Sequence, residues 1–375
     1  MTSLSLLVAV NLGLGATCVA LAIVVVLVKL VRAVAKSSRQ ARVAPYRDAV
    51  LNIAAGGDEE GAASAVLRTV RERDWHAVRD VLVALLSKVR GDTAVMLVDL
   101  LDARGEFELA RSALGSRRAI RRARGAYLLG LARQRQDVGL LLPLLADRAA
   151  EVRLVASRSL GSIGDPVAAS ALFAALGPVR GQPGIPTAVA AEALLNFGTG
   201  AVPAVIAALA ADDATERTVA TMVAAEGALS AAAPRLRQLL AGDPELAVRI
   251  SAAQALGAVG GADDVAELAA YTMVTQPTAL RRAAVQALGE LGHPDAAPVL
   301  SELLSDPDVR LAQGSGDSLV QLGPAGVRAL LQAADGAGPK DPAARVAAGS
   351  LAIARLRQAP QLAAAPLPVE LGNPR

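Results

Sequence analysis

Past its first twenty-eight residues, which carry no charged side chain, the chain alternates between pairs of short apolar runs at helical spacing. Over 247–274, Val248, Ala252, Ala255, Leu256 and Val259 form one stripe, and Val265, Leu268 and Ala269 form the next. Apolar side chains returning every three or four residues lie on one face of an α-helix. Gly164-Asp165-Pro166, Gly260-Gly261, Gly292-His293-Pro294 and Gly323-Pro324 interrupt the runs. Glycine is expected to supply a left-handed C-cap there, and proline to open the next helix, where a missing N–H is harmless. The predicted unit is helix–turn–helix.

The unit repeats. An arginine followed eight residues later by glycine sets the frame: Arg153 to Gly161 in EVRLVASRSLGSIGDP, Arg249 to Gly257 in AVRISAAQALGAVG, and Arg281 to Gly289 in ALRRAAVQALGELGHP. Arg122 to Gly130 is a looser copy, and copies near 187–198, 215–228, 308–323 and 343–356 complete an array with a period of about 31–32 residues. The second helices of the units are predicted at about 136–146, 165–176, 200–210, 231–241, 262–272, 294–305 and 324–335, with solvent faces of scattered acids and amides. The phrase shared by the three good copies resembles HEAT repeats, and in particular the short bacterial HEAT-like group named after phycobilisome lyases. The resemblance covers residues 117–358 and implies an all-α, right-handed α-α solenoid. It also implies that Arg153, Arg249 and Arg281 are structural links between repeats, with Asp147 and Asp243 from the preceding turns as partners of the first two and the third partner unassigned. Lyase activity does not follow, because a fold does not carry a function.

The segments flanking the array read differently. As a helix rising about 1.5 Å per residue, Met1–Val28 reaches roughly 42 Å, longer than the roughly 30 Å hydrocarbon core of a bilayer. Lys29, Arg32, Lys36, Arg39, Arg42 and Arg47 follow it and no basic residue precedes it, which predicts an N-terminus outside and the bulk of the chain in the cytoplasm. A cleaved signal would have positive charge on the other side and a shorter apolar core. The expected organisation is a transmembrane anchor at 1–32, a basic juxtamembrane linker at 33–44, a divergent helical cap at 45–116, HEAT-like repeats at 117–358, and a disordered Pro/Ala-rich tail at 359–375.

Composition narrows the chemistry. Hydrophobic residues make up 53% of the chain and aromatics only 2%, as suits helices packed through alanine, leucine and valine. Cys18, the only cysteine, lies in the apolar segment, which leaves no disulfide framework or cysteine zinc site. His76 and His293 fall in different units, and no zinc-protease, serine-hydrolase, phosphate-loop or dinucleotide motif occurs. The Gly-rich stretch 177–186 lacks the Lys-Ser/Thr ending of a phosphate loop and reads as an enlarged inter-repeat loop. Asp212-Asp213 and Asp263-Asp264 read as helix starts, where carboxylates suit the helix dipole. No catalytic residues, metal or cofactor are expected, and the chain is read as non-enzymatic.

One charged constellation remains. Arg111, Arg117, Arg118, Arg121, Arg122 and Arg124 crowd the entry to the first clear repeat, and on a helical wheel Arg117, Arg121 and Arg124 share a face. The last five are the candidate partner-binding residues; the alternative is a solvated face neutralised by Glu106 and Glu108. An acidic protein, anionic lipid or a nucleic-acid backbone would suit them, nucleic acid least, because stacking aromatics are missing. The expected function is a membrane-anchored cytoplasmic scaffold docking a protein partner, an integral membrane enzyme or complex such as an envelope glycosyltransferase. Binding of lipid or nucleic acid through 111–124, or service as a subunit of an enzyme that modifies a small ligand, is the alternative.

Overall fold

The computed structural model describes residues 40–58, 61–336 and 341–363. The expected anchor at 1–32, most of the basic linker and the tail beyond residue 363 lie outside the described residues. Among the described residues no helix is long and apolar enough to cross a membrane. The secondary structure of the described residues is helical apart from one isolated bridge, Val179 to Gln182.

The chain divides into two compact units, Met1–Ala132 and Arg133–Arg375. The first contains α1 (Arg47–Ala54), α2 (Ala62–Arg68), α3 (Glu72–Leu86), α4 (Asp92–Ala103), α5 (Glu106–Ala113) and α6 (Ala119–Ala132). Its core is Leu67, Val78, Leu82, Leu97, Leu101 and Phe107, all fully buried. Trp75 is also buried, and its indole N–H donates to Glu106 Oε1 at 2.6 Å while the Arg104 guanidinium stacks 4.3 Å above its ring. Gly125 lets α6 close on α5: a Cβ there would lie 2.6 Å from the Ala110 carbonyl oxygen.

The second unit is a stack of helical hairpins. Second and first helices alternate as α7 (Val138–Leu141), α8 (Ala150–Ile163), α9 (Ala169–Ala174), α10 (Thr187–Leu195), α11 (Val202–Ala208), α12 (Ala214–Glu226), α13 (Ala233–Gly242), α14 (Leu246–Val259), α15 (Asp264–Ala270), α16 (Thr278–Leu291), α17 (Ala296–Glu302), α18 (Val309–Gln321), α19 (Pro324–Gly336) and α20 (Pro342–Ala363). Short 3-10 turns precede or extend many of the second helices, so Leu142–Ala146 prolongs α7 and Pro166–Ala168 leads into α9. The helix α20 runs five residues into the stretch read from sequence as tail.

Local chemistry explains the boundaries. Gly164 and Gly292 end α8 and α16 in the left-handed region, with φ of 75° and 70°. Gly260 does not follow that expectation; it ends α14 in extended backbone, because Asp264 Oδ2 takes the Gly261 N–H and turns the chain instead. The repeated Ala-Leu-Gly serves packing. A Cβ on Gly257 would lie 2.7 Å from Ala287 Cα, and one on Gly289 would lie 2.7 Å from Ser318 Cβ. Glycine thus lets the first helices of neighbouring repeats touch along their backbones, while Leu256, Leu288 and Leu319 are fully buried beside the contact. At the enlarged loop, Val179 and Gln182 exchange backbone hydrogen bonds around Arg180 and Gly181, both at positive φ.

Candidate functional site

The five candidate arginines do not form one surface. The helix α6 starts at Ala119, so Arg117 and Arg118 precede it. Arg122 is buried, and its Nη1 donates to the Ser116 carbonyl at 2.7 Å. Arg121 and Arg124 are exposed and line a groove of about 640 Å³ between α3, α5 and α6. Arg79, Leu109 and Tyr127 also line it. Of the carboxylates expected to neutralise the cluster, Glu108 pairs with its first member, Arg111, at 2.6 Å, whereas Glu106 lies beside Trp75 and 3.6 Å from Arg79. Trp75, buried in the core, presents no face for a base to stack on.

The arginines of the repeats share one structural address, the fourth residue of a helix: Arg122 in α6, Arg153 in α8, Arg217 in α12, Arg249 in α14 and Arg281 in α16. Each donates back to a carbonyl before its own helix, as Arg153 Nη1 does to Asp147 O at 2.9 Å and Arg281 Nε to Thr272 O at 2.7 Å. In the second unit the other edge of the guanidinium reaches forward to the turn that opens the following repeat. Arg153 Nη2 donates to Pro183 O at 2.7 Å and Arg249 Nη2 to Gln276 Oε1 at 3.4 Å. Arg217 donates Nε and Nη2 to the Asp243 carboxylate at 2.6 and 2.9 Å, and Arg281 Nη2 donates to Asp306 Oδ2 at 2.5 Å.

The expected partners are therefore reassigned. Asp243 closes on Arg217 of the unit before it and not on Arg249, and Asp147 meets Arg153 through its backbone carbonyl. The unassigned partner of Arg281 is Asp306. The physical reason lies in the turn. Asp147, Asp243 and Asp306 each use Oδ1 to accept an N–H two residues on, an Asx-type turn. In Asp243 and Asp306 the second oxygen faces the helix of the preceding repeat. Arg217 was not singled out from the sequence, although it lies one period before Arg249.

A further ion pair joins second helices. Arg237 of α13 donates Nε to Asp264 Oδ1 at 2.5 Å and Nη2 to Oδ2 at 3.1 Å. Burial alone would raise the Asp264 carboxyl, but the Arg237 hydrogen bonds, the Gly261 N–H and the Arg237 charge outweigh it and hold it below 3.8. Glu267, on the same helix, is shifted the other way by its burial and by the Asp264 charge. Asp213 caps α12 by accepting the Thr215 and Glu216 N–H groups, and His293 Nδ1 accepts the Asp295 N–H at 3.3 Å, both turn roles. The second-helix faces are more apolar than expected, with Leu140, Val167, Ile206 and Leu331 exposed along them. Among the described residues no group of three or more His, Cys, Asp or Glu side chains could hold a metal ion.

Residues 273–352 match the family model for HEAT repeats. Among solved structures, the chain is similar to the Escherichia coli protein YibA, at 19% identity over 70% of this chain and 96% of that one, with a TM-score of 0.36. It is also similar to the complex of CpcE and CpcF of phycocyanin lyase from Nostoc, at 21% identity over 60% and 92% of the two chains, with a TM-score of 0.31. Kap95p bound to RanGDP gives 13% identity over 81% of this chain and 47% of that one, with a TM-score of 0.48. No curated protein sequence matches the chain. On the match over residues 273–352 the protein contains HEAT repeats, and its described residues are helical.

Proposed function

We propose that this protein is a non-enzymatic HEAT-repeat scaffold, held on the cytoplasmic face of a membrane by its N-terminal apolar segment, that docks a protein partner embedded in the same membrane. An envelope glycosyltransferase is one example of such a partner. The observation that carries the docking role is the row of second helices, along which Leu140, Val167, Ile206 and Leu331 are exposed on four of them. Repeat arrays bind through extended surfaces that run along successive units, and these four positions recur along one such row. The anchor rests on the uncharged length of Met1–Val28 and the cationic flank that follows it.

The test is site-specific photo-crosslinking of the full chain in its native membrane. Crosslinkers at Leu140, Val167, Ile206 and Leu331 are expected to capture one discrete membrane protein, and crosslinkers at the exposed first-helix positions Arg158 and Glu192 are not. Equal capture from both sets, or none from either, overturns the docking role. Release of the chain by alkaline carbonate, or digestion of the repeats from outside the cell, overturns the anchor and its orientation.

A further inference from the structure

The first unit contains a concave site that its own residues leave electrostatically incomplete. The side chains of Arg121 and Arg124 line the α3–α5–α6 groove, and among the described residues neither makes an ion pair. They lie three residues apart on α6, hence one above the other on the same helix face. Arg121 sits in the first turn, where positive charge opposes the helix dipole. Neither placement stabilises the fold. Beside them, Leu109 is 63% exposed and Tyr127 45% exposed, so the two cations border an apolar floor. Arg79, Asp80 and Glu106 form the far wall, with Arg79 bridged to both carboxylates at 3.0 and 3.6 Å.

We propose that this groove docks an acidic amphipathic helix of a protein partner, its apolar face on Leu109 and Tyr127 and its carboxylates on Arg121 and Arg124. Charge complementarity selects the occupant. A membrane surface or a nucleic-acid backbone is anionic throughout, and either would bring phosphates against Asp80 and Glu106. A peptide can concentrate its charge over the arginines alone. A cationic surface for lipid also takes four to eight basic groups on an open face, whereas here two unpaired cations stand over a concavity. Three helices already line the groove, so a fourth can enter by burying an apolar stripe, the usual mode for helix recognition. The inference rests on the scaffold reading and names one of its binding sites.

Fluorescence anisotropy on the full chain in mild detergent tests it. The probes are a labelled amphipathic peptide with leucines on one face flanked by glutamates, its Glu-to-Gln and Glu-to-Lys counterparts, phosphatidylserine vesicles, and an oligothymidine single strand. The acidic peptide is expected to bind, and the double variant Arg121→Glu/Arg124→Glu to weaken it by about tenfold or more, as charge pairs in partly desolvated sites do. The lysine peptide should regain binding to that variant. Leu109→Lys should weaken binding too, while Arg158→Glu/Arg180→Glu, at exposed sites in the second unit, should leave it unchanged. Circular dichroism checks that each variant is folded. Equal binding of the Gln peptide, equal loss from the control pair, absence of peptide binding, or binding of vesicles or oligonucleotide alone overturns the proposal. Loss of the groove with retained second-helix crosslinks leaves the scaffold reading standing. Peptide binding without any crosslinked partner leaves the groove and removes the scaffold.

Discussion

Asp243→Ala should loosen the array around α12 and α14 more than any surface change. The Arg217 and Asp243 side chains are 9% and 2% exposed, and they meet through two hydrogen bonds. Removing the carboxylate strands Nε and Nη2 in the interior, while Nη1 keeps the Ala211 and Asp212 carbonyls. Breaking one side of a buried pair costs roughly 3–5 kcal/mol. The Glu245 N–H also loses its acceptor, about 1 kcal/mol more for a lost cap. At about 1.4 kcal/mol per tenfold, amide exchange over 214–226 and 246–259 should accelerate by roughly three to four orders of magnitude. Hydrogen exchange read by mass spectrometry is the right assay, because repeat arrays open locally and a melting temperature averages over all repeats. The double variant Arg217→Leu/Asp243→Ala removes the stranded charge and should recover much of the loss. Acceleration below tenfold for Asp243→Ala, or a double variant costing the sum of the singles, refutes the interlocking role.

Four further outcomes follow from the same geometry. Gly257→Val must push α14 from α16 and should cost roughly 1–3 kcal/mol, read by calorimetry against Gly261→Ala, at a position with open space around it. Leu256→Asp places a carboxylate at a fully buried site and should cost several kcal/mol, as an unpaired buried charge does; an unchanged melting temperature would refute the register of the array. Asp264, held below its ordinary value, contributes stability above pH 3.8 that fades as pH falls through its folded value, so Asp264→Asn should destabilise at neutral pH and match wild type in stronger acid. Glu267 has the opposite sign: Glu267→Gln should raise the neutral-pH melting temperature, with the difference vanishing below pH 4.5.

The repeat frame was legible because one phrase encodes two physical needs. Its arginine must reach a turn, and its glycine must admit a neighbouring backbone. Where either half is missing, the signal fades. Arg217 escaped notice because the eighth residue after it is Ala225. The copy beginning Asp308-Val309-Arg310 misleads in the other direction. Asp308 caps α18 and accepts the Arg310 N–H at 3.0 Å, so Arg310 lies exposed in the first turn and Ala312 takes the buried fourth position. Which turn supplies each carboxylate could not be read from spacing, since Asp243 is close in sequence to Arg249 but meets Arg217, one period earlier, only once the helices stack. The groove was hidden for a related reason. A helical wheel joins Arg117 to Arg121 and Arg124, but the helix begins only at Ala119.

Arginine is used in two incompatible ways, and the difference decides where recognition can sit. The fourth-position arginines Arg153, Arg217 and Arg281 are buried, so an N–H without an acceptor is a liability there; Arg153, facing carbonyls at the enlarged loop, leaves its Nε with no acceptor. A partner could recruit such a group only by unstacking the repeat it closes. In α6 the fourth position is again filled, by Arg122, and successive residues on a helix are turned by about 100° from one another. The filled address therefore rotates Arg121 and Arg124 outward. A single arginine-rich stretch thus holds one residue committed to the fold and two whose charge the fold does not use. Binding at those two can strengthen or change without loosening the helices beneath, which a site built from the interlocking arginines could not do.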